Sequence, residues 1–300
     1  LSPRRIRVGV SSCLLGHEVR WNGGHKRDPY LTTVLDRHFE WIPVCPEEEM
    51  GLGVPREPIR LEGDPRAPRL VSRTTRTDLT ARMRAFARRR VRALEALDLC
   101  GYILKAGSPS CGMRGRQGVG AFARVLLERM PLLPVEEEGR LNDPRLRENF
   151  IERVFASRRV KDLLATGSAA RDLVAFHTRH KFLVLAHSPE LYRRLGRLVA
   201  AGRGRHAYAV LFMQALRVKA TPRKHANVLQ HILGFVKDDL PADEKREILG
   251  LIDAMRRERL PLIVPLTLLR HHCRRLKVEY VLEQVYLSPH PEELMLRNHV

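Results

Sequence analysis

Five cysteines stand at positions 13, 45, 100, 111 and 273 of a 300-residue chain. Three of them, Cys13, Cys45 and Cys111, lie in segments whose wording suits ligation: SSCLLG, VCPEEE and SPSCG. Proline and glycine shape tight loops that can wrap a bulky inorganic group. With water in a fourth position, three thiolates make an open zinc site. On a four-iron cluster they leave one iron without a protein ligand, and that iron is a thiophilic Lewis acid. Spacing does not choose between these two, or between them and three buried structural thiols. An odd cysteine count without a secretion signal argues against a disulfide framework.

For the three thiols to act together, the elements before them must end at one place. Residues 6–10 (IRVGV), 39–44 (FEWIPV) and 99–104 (LCGYIL) are apolar, β-branched runs, and each feeds a loop with one cysteine. Helical spacing over Thr77–Leu97 (Leu79, Met83, Phe86, Val91, Leu94, Leu97) places a helix before the third strand, with Thr77 or Asp78 as N-cap. Asp28–His38 reads as a shorter helix. Strand–helix–strand alternation predicts an α/β N-terminal domain with a largely parallel sheet. In such a sheet the three loops share the carboxyl edge, where ligands bind. Cys100 opens the third strand, ~17–20 Å from its far end, and is expected to be a buried hydrophobe. Cys273 follows His271 and His272, but consecutive helical residues point in different directions, which disfavours a shared metal.

Residues 134–144 (PVEEEGRLNDP) break the pattern with proline, glycine and an acidic cluster, and read as a linker. The expected domains are 1–145 and 146–300. Beyond the linker, helices are expected near 145–165, 171–186, 189–201, 205–217, 222–236, 243–259, 264–275 and 278–285. Ser188-Pro189, Thr221-Pro222 and Leu240-Pro241 fit helix starts. The second domain is therefore expected to be all-α.

The composition, 44% hydrophobic and 29% charged, fits a folded globular chain. No apolar run approaches the roughly 20 residues that span a bilayer, so no membrane association is expected. LSPRRIRVGVSSC is too short in apolar residues for a signal peptide, and the expected location is cytoplasmic. A formal net charge of +20, spread over both halves, points to a polyanionic partner. Abundant Arg, Ala, Leu and Pro also allow a bland compositional origin. Aromatics are only 6%, too few for an extensive base-stacking platform, so recognition of a folded RNA through shape and backbone fits better.

Longer motifs narrow the chemistry. SSCLLGHEVRWNGGHK (11–26), VCPEEEMGLGVPRE (44–57) and KAGSPSCG (105–112) together resemble the bacterial thiouracil desulfidase family (TudS-like). AFHTRHKFLVLAHSPE (175–190), TPRKHANVLQHILGFVK (221–237), LPLIVPLTLL (260–269) and YLSPHPEELMLRN (286–298) resemble the helical domain that accompanies such desulfidases. The pairing looks like that of RudS-type tRNA 4-thiouridine desulfidases. The resemblance implies a [4Fe-4S] cluster on Cys13, Cys45 and Cys111, one iron left unligated by protein for the substrate sulfur. It also implies non-redox replacement of sulfur by water, which needs a carboxylate to activate water or carry its proton.

Glu47 is the carboxylate expected, because it follows Cys45 by two residues and alternation along an extended loop would point both side chains one way. Glu48 and Glu49 compete with it. Ser11, Ser12, Ser108 and Ser110 flank the ligands and could bind cluster sulfides or substrate, or simply cap loop amides. Lys105 and Arg56 could neutralise cluster charge. Asn22 stands in RWNGG where many relatives would have Asp, which puts any role there in doubt. In the helical half, His177, His180 and Lys181 share a helix face, and Arg223, Lys224 and His225 sit at a Pro-started helix, a phosphate-binding arrangement. The Arg88–Arg90 and Arg256–Arg257 runs read equally as solvated helix faces. The resulting expectation is a tRNA 4-thiouridine desulfidase with tRNA as partner and no obligatory protein partner. A desulfidase of free thiouracil or thionucleosides, and a nucleic-acid-binding regulator with a sensory cluster, are the alternatives.

Overall fold

The computed structural model describes residues 5–115, 117–165, 170–202 and 204–299. The chain divides into two compact units, one running to Leu146 and one starting at Arg147.

In the first unit a four-stranded sheet runs in the order β2-β1-β5-β6. Its strands are β1 (Ile6–Ser11), β2 (Phe39–Val44), β5 (Gly101–Leu104) and β6 (Val135–Glu137). All three pairings are parallel, with Val10 opposite both Pro43 and Ile103, and Leu104 opposite Glu137. Central β1 is buried along nearly its whole length, which is why it reads as a continuous apolar run. Gly9 is required there: a Cβ would overlap the ring of Tyr102 on the neighbouring strand.

Helix α1 (Pro46–Glu49) follows β2, α2 (Thr80–Glu95) precedes β5, and α3 (Ala121–Arg129) precedes β6. The α2 face carrying Met83, Phe86, Val91 and Leu94 is buried with Phe122 and Leu126 of α3 in one core beneath the sheet. The N-terminal end of α2 is closed by Asp78, whose Oδ1 accepts from the Thr80 amide at 2.9 Å. An antiparallel hairpin, β3 (Ile59–Glu62) and β4 (Arg69–Ser72), projects from the segment between β2 and α2. Asp28–His38 forms a π turn at Tyr30–Val34 and a 3-10 turn at Leu35–Arg37 rather than a regular helix.

The expected linker at 134–144 is a correction. Residues 135–137 are the last strand of the sheet, and Glu136, Glu137 and Glu138 belong to the unit rather than to a solvated connection. Glu137 is buried and accepts from the Met113 amide at 2.7 Å; Glu138 accepts from the Ala106 amide at 2.6 Å and pairs with Lys105. These carboxylates were bought into the fold by otherwise unpaired loop amides, a requirement invisible in composition.

The second unit is helical: α4 (Pro144–Ala165), α5 (Ala170–His187), α6 (Pro189–Ala200), α7 (Arg205–Arg217), α8 (Pro222–Leu233), α9 (Ala242–Arg256), α10 (Ile263–Arg275) and α11 (Glu279–Leu282). Ser188 and Thr221 cap α6 and α8 as expected, accepting from the Leu191 and Lys224 amides at 3.2 and 3.4 Å. Its core holds Phe150, Phe176, Tyr208 and Phe212, and beside it lies a buried polar network. There His187 Nε2 meets Glu152 at 2.6 Å, and Arg297, almost fully buried, lies near Glu148 and Glu152 at 3.4 and 3.8 Å. Among the described residues no helix is long and apolar enough to cross a membrane.

Candidate active site

Three consecutive strand ends deliver the cysteines. Cys13 lies in a 3-10 turn (Ser12–Leu15) directly after β1, and its carbonyl accepts from the Lys26 amide at 2.8 Å, tying the RWNGGHK loop back to the turn. Cys45 directly follows β2 and is the N-cap residue of α1. Cys111 sits in the loop after β5, where the Ser108 hydroxyl oxygen accepts from the Cys111 and Ser110 amides at 3.1 and 3.2 Å. All three line one cavity of about 340 Å³ at the carboxyl edge of the sheet. Cys100 is fully buried and Cys273 is fully buried in the helical unit, and neither borders this cavity. The His-His-Cys run is not an exposed cluster: His272 is buried too, with Nδ1 3.6 Å from Glu244.

Burial raises the Cys13 thiol to about 11, and nearby Cys45 pushes the same way. Desolvation also raises Cys45, opposed by the Glu48 and Glu47 amides. Cys111 is raised furthest, again by burial, although the Ser11 hydroxyl hydrogen-bonds its sulfur. Thiols that resist ionisation, two of them buried and Cys45 half-buried, need a cation to become thiolates, so binding a metal group there would release protons. Among the described residues, no three His, Cys, Asp or Glu side chains gather closely enough to hold a single metal ion. The three cysteines line one cavity, and their thiols make an all-sulfur donor set of the kind that holds either an iron–sulfur group or zinc.

Glu47 borders the same cavity, though not for the reason expected. The segment after Cys45 is a helical turn, not an extended loop, because Pro46 occupies the first helical position. Its carboxylate is fully engaged. Arg56 directs Nε and Nη2 to Oε2 at 3.0 and 2.6 Å, while the buried Ser110 hydroxyl donates to Oε1 at 2.9 Å. Arg56 also donates to the Val19 and Gly53 carbonyls at 2.9 and 3.0 Å, and its side chain is only 5% exposed. It is thus the keystone of three loops. Val19 O is also 3.6 Å from the Cys45 sulfur.

The competitors are accounted for elsewhere. Glu48 is exposed, and Glu49 caps the Cys45 amide at 3.1 Å and pairs with Arg90 at 2.8 Å. Ser11 accepts from the Lys105 amide at 2.9 Å, Ser12 borders the cavity, and Ser108 does loop capping. Lys105 is bound to Glu138 and to the Ala106 carbonyl. Asn22 is exposed and its Oδ1 accepts from the Gly24 amide at 3.3 Å, a turn role away from the thiols.

The helical candidates do not form one surface. His180 is buried, stacked on Phe176 with ring centroids 3.9 Å apart, and its Nδ1 lies 2.7 Å from the Phe176 carbonyl. Burial holds its pKa down at about 3, so it is a neutral core histidine and not a phosphate contact. His225 is half-buried against the Tyr286 hydroxyl at 3.0 Å; desolvation, then Arg297, lowers it to about 3. His177 bonds the Tyr208 hydroxyl at 3.0 Å. Lys224 turns its Nζ onto the His187 and Lys219 carbonyls, at 2.7 and 3.2 Å, and Lys181 lies 4.6 Å from the centre of the Tyr280 ring. Arg223 remains exposed.

A 2-thiouracil desulfurase model matches residues 8–138, and a model for proteins of unknown function (DUF1722) matches residues 181–291. The uncharacterized protein YbgA of Escherichia coli (strain K12) is 30% identical over 165 residues, 53% of this chain and 98% of its own length. The uncharacterized protein YbbK of Bacillus subtilis (strain 168) is 28% identical over 147 residues, 45% of this chain and 97% of its own. One solved structure, the [4Fe-4S]-dependent thiouracil desulfidase TudS, is 28% identical with a TM-score of 0.39, covering 46% of this chain and 95% of that chain.

Proposed function

The chain belongs to the family of YbgA and carries a 2-thiouracil desulfurase domain followed by a DUF1722 region, and on that premise we propose that it is an iron–sulfur-dependent desulfidase acting on 4-thiouridine in tRNA. The observation that carries the reading is the cavity itself, in which Cys13, Cys45 and Cys111 meet Glu47. The all-sulfur donor set suits a [4Fe-4S] cluster, which would supply a thiophilic iron for the substrate sulfur.

The remaining chemistry falls to the chain. The reaction replaces C=S by C=O: a water oxygen ends on the carbon, its two hydrogens leave with sulfur as hydrogen sulfide, and no electrons change hands. Glu47 Oε1, shared with the Ser110 hydroxyl, is the oxygen that takes a proton from the attacking water. Arg56 fixes Oε2 so that Oε1 keeps its place. Glu47 then passes that proton to the departing sulfur, the fully buried Ser110 hydroxyl holds Oε1 in place, and Ser11 steadies the Cys111 sulfur.

Support for tRNA as the carrier of the base is the +20 charge and the helical unit, with Arg223 among its exposed cations. His180 and His225 drop out of that role on the ground of burial. The family description also favours a second reading, free thiouracil as substrate. Anaerobically reconstituted Glu47→Gln protein tests the mechanism. It should retain full iron and sulfide and lose turnover; undiminished turnover removes Glu47. Binding of tRNA that weakens steeply with salt supports the RNA assignment, and absence of binding returns the free base to first place.

A further inference from the structure

The loops around the thiols bound a second hollow of about 360 Å³, which shares Ile59, Arg60 and the Gly107–Pro109 turn with the thiol cavity. Arg60 and Arg114 stand on it, and among the described residues no carboxylate lines it. Arg60 comes from β3 and pairs with Glu62 on the same strand at 2.5 Å; Arg114 is exposed. The thiol cavity has cations of its own. Arg56 and Lys105 are bound to Glu47 and Glu138, but Arg20 and Arg73 also border it. Among the described residues neither these two nor Arg114 has a carboxylate partner. Trp21, 45% exposed, forms part of the cavity wall.

An isolated surface arginine needs no explanation. Here, however, guanidinium groups without a carboxylate partner border two joined hollows, Arg20 and Arg73 on the one that ends on the three cysteines and Arg114 on the other. A thiolated pyrimidine base is uncharged, so a site for the free base has no use for them. A base carried in a polynucleotide brings a phosphate on each side, and phosphates are what guanidinium groups position. An indole bare to solvent beside the opening is a surface on which a neighbouring base stacks.

Resting on the desulfidase reading, we propose that the hollow bounded by Arg60 and Arg114 binds the backbone phosphate next to the thiolated nucleotide. The first unit thereby recognises its base as part of an RNA strand, independently of any contact made by the helical unit. The β3–β4 hairpin acquires a purpose in this arrangement, since it brings Arg60 to the wall common to both hollows.

The test uses the full-length, reconstituted holoprotein and two substrates: free 4-thiouridine and a single-stranded oligoribonucleotide of about five residues carrying one 4-thiouridine. In Arg114→Gln, the ratio of kcat/KM for the oligonucleotide to that for the nucleoside should fall about tenfold, the size of one charge-assisted contact. Oligonucleotide binding should weaken similarly, and the slope of log K against log salt should shrink by ~0.7. A ratio and an affinity both within about twofold of the unsubstituted protein overturn the proposal, as does an equal loss on both substrates. Should the unsubstituted protein turn over neither substrate, the desulfidase reading fails, while the binding of the oligonucleotide to the two proteins still decides whether the hollow holds a phosphate.

Discussion

Replacing Arg56 by methionine keeps most of the side-chain volume and removes the guanidinium that holds Glu47. Two N–H bonds to Oε2 disappear, at 3.0 and 2.6 Å, together with those to the Val19 and Gly53 carbonyls. The side chains of Arg56 and Glu47 are 5% and 12% exposed, so the remaining carboxylate is left largely desolvated and without its cation. Breaking a buried pair in this way costs ~3–5 kcal/mol, and the residual exposure of Glu47 places the loss near ~3 kcal/mol. With a urea dependence of ~2 kcal/mol per molar, the unfolding midpoint should fall by about 1.5 M. Both tryptophans, Trp21 and Trp41, lie in the first unit, so tryptophan fluorescence reports this transition without the helical unit. Adding Glu47→Gln removes the stranded charge, and the double variant should recover ~1–2 kcal/mol relative to the sum of the single losses. Additive losses, or a midpoint shift below about 0.5 M, would refute the idea that this pair fixes the carboxylate. Turnover of Arg56→Met should drop alongside that of Glu47→Gln even where the protein remains folded.

Three further outcomes follow from the geometry. Alanine at Cys13, Cys45 or Cys111 should abolish iron and sulfide uptake during anaerobic reconstitution, whereas Cys100→Ala and Cys273→Ala should retain both; iron and sulfide analysis checks this. The helical unit should lose stability as pH falls below about 6.5, because His180 and His225, lowered to about 3, stay neutral in the folded unit while the unfolded chain takes up protons. Each contributes a loss of up to ~1.4 kcal/mol per pH unit, so urea titrations followed by helical circular dichroism at pH 7 and 5 should differ clearly, and equal stabilities would contradict the burial of both rings. Glu152→Gln, which takes the buried carboxylate away from Arg297 at 3.8 Å and from His187 at 2.6 Å, should destabilise the same unit by ~3 kcal/mol in the same assay while leaving tryptophan-detected unfolding in place.

The strands and their cysteine loops were legible because short apolar runs, buried most fully in β1 and β5, stand out in the sequence, and parallel order then brings their carboxyl ends together. The helices of the second half were legible for a different reason: proline starts, Ser188 and Thr221 caps, and helical periodicity agree locally. What escaped was set by contacts distant in sequence. Nothing in PVEEEGRLNDP announces that Glu137 and Glu138 answer the amides of Met113 and Ala106, so a short edge strand resembled a linker. The segments Ile59–Glu62 and Arg69–Ser72 are four residues each, too short to show alternation. Helix α3 was hidden behind a glycine-rich approach. Glu47 stands two residues after Cys45 in the sequence, but its partner Arg56 lies nine residues away across a turn, and only the folded loop puts them together. Likewise, helical spacing put His177 and His180 on one face without revealing that the face points inward for His180.

In the proposed reaction this cavity removes sulfur from a thiolated base held in RNA. Anaerobically reconstituted protein incubated with tRNA containing 4-thiouridine tests it most directly, with the ultraviolet absorption of the thiolated base and the released sulfide measured together. The absorption should disappear and one sulfide should be released per thiolated base lost, with neither change for Cys111→Ala. Unchanged absorption with fully loaded protein, or equal turnover by Cys111→Ala, would contradict it.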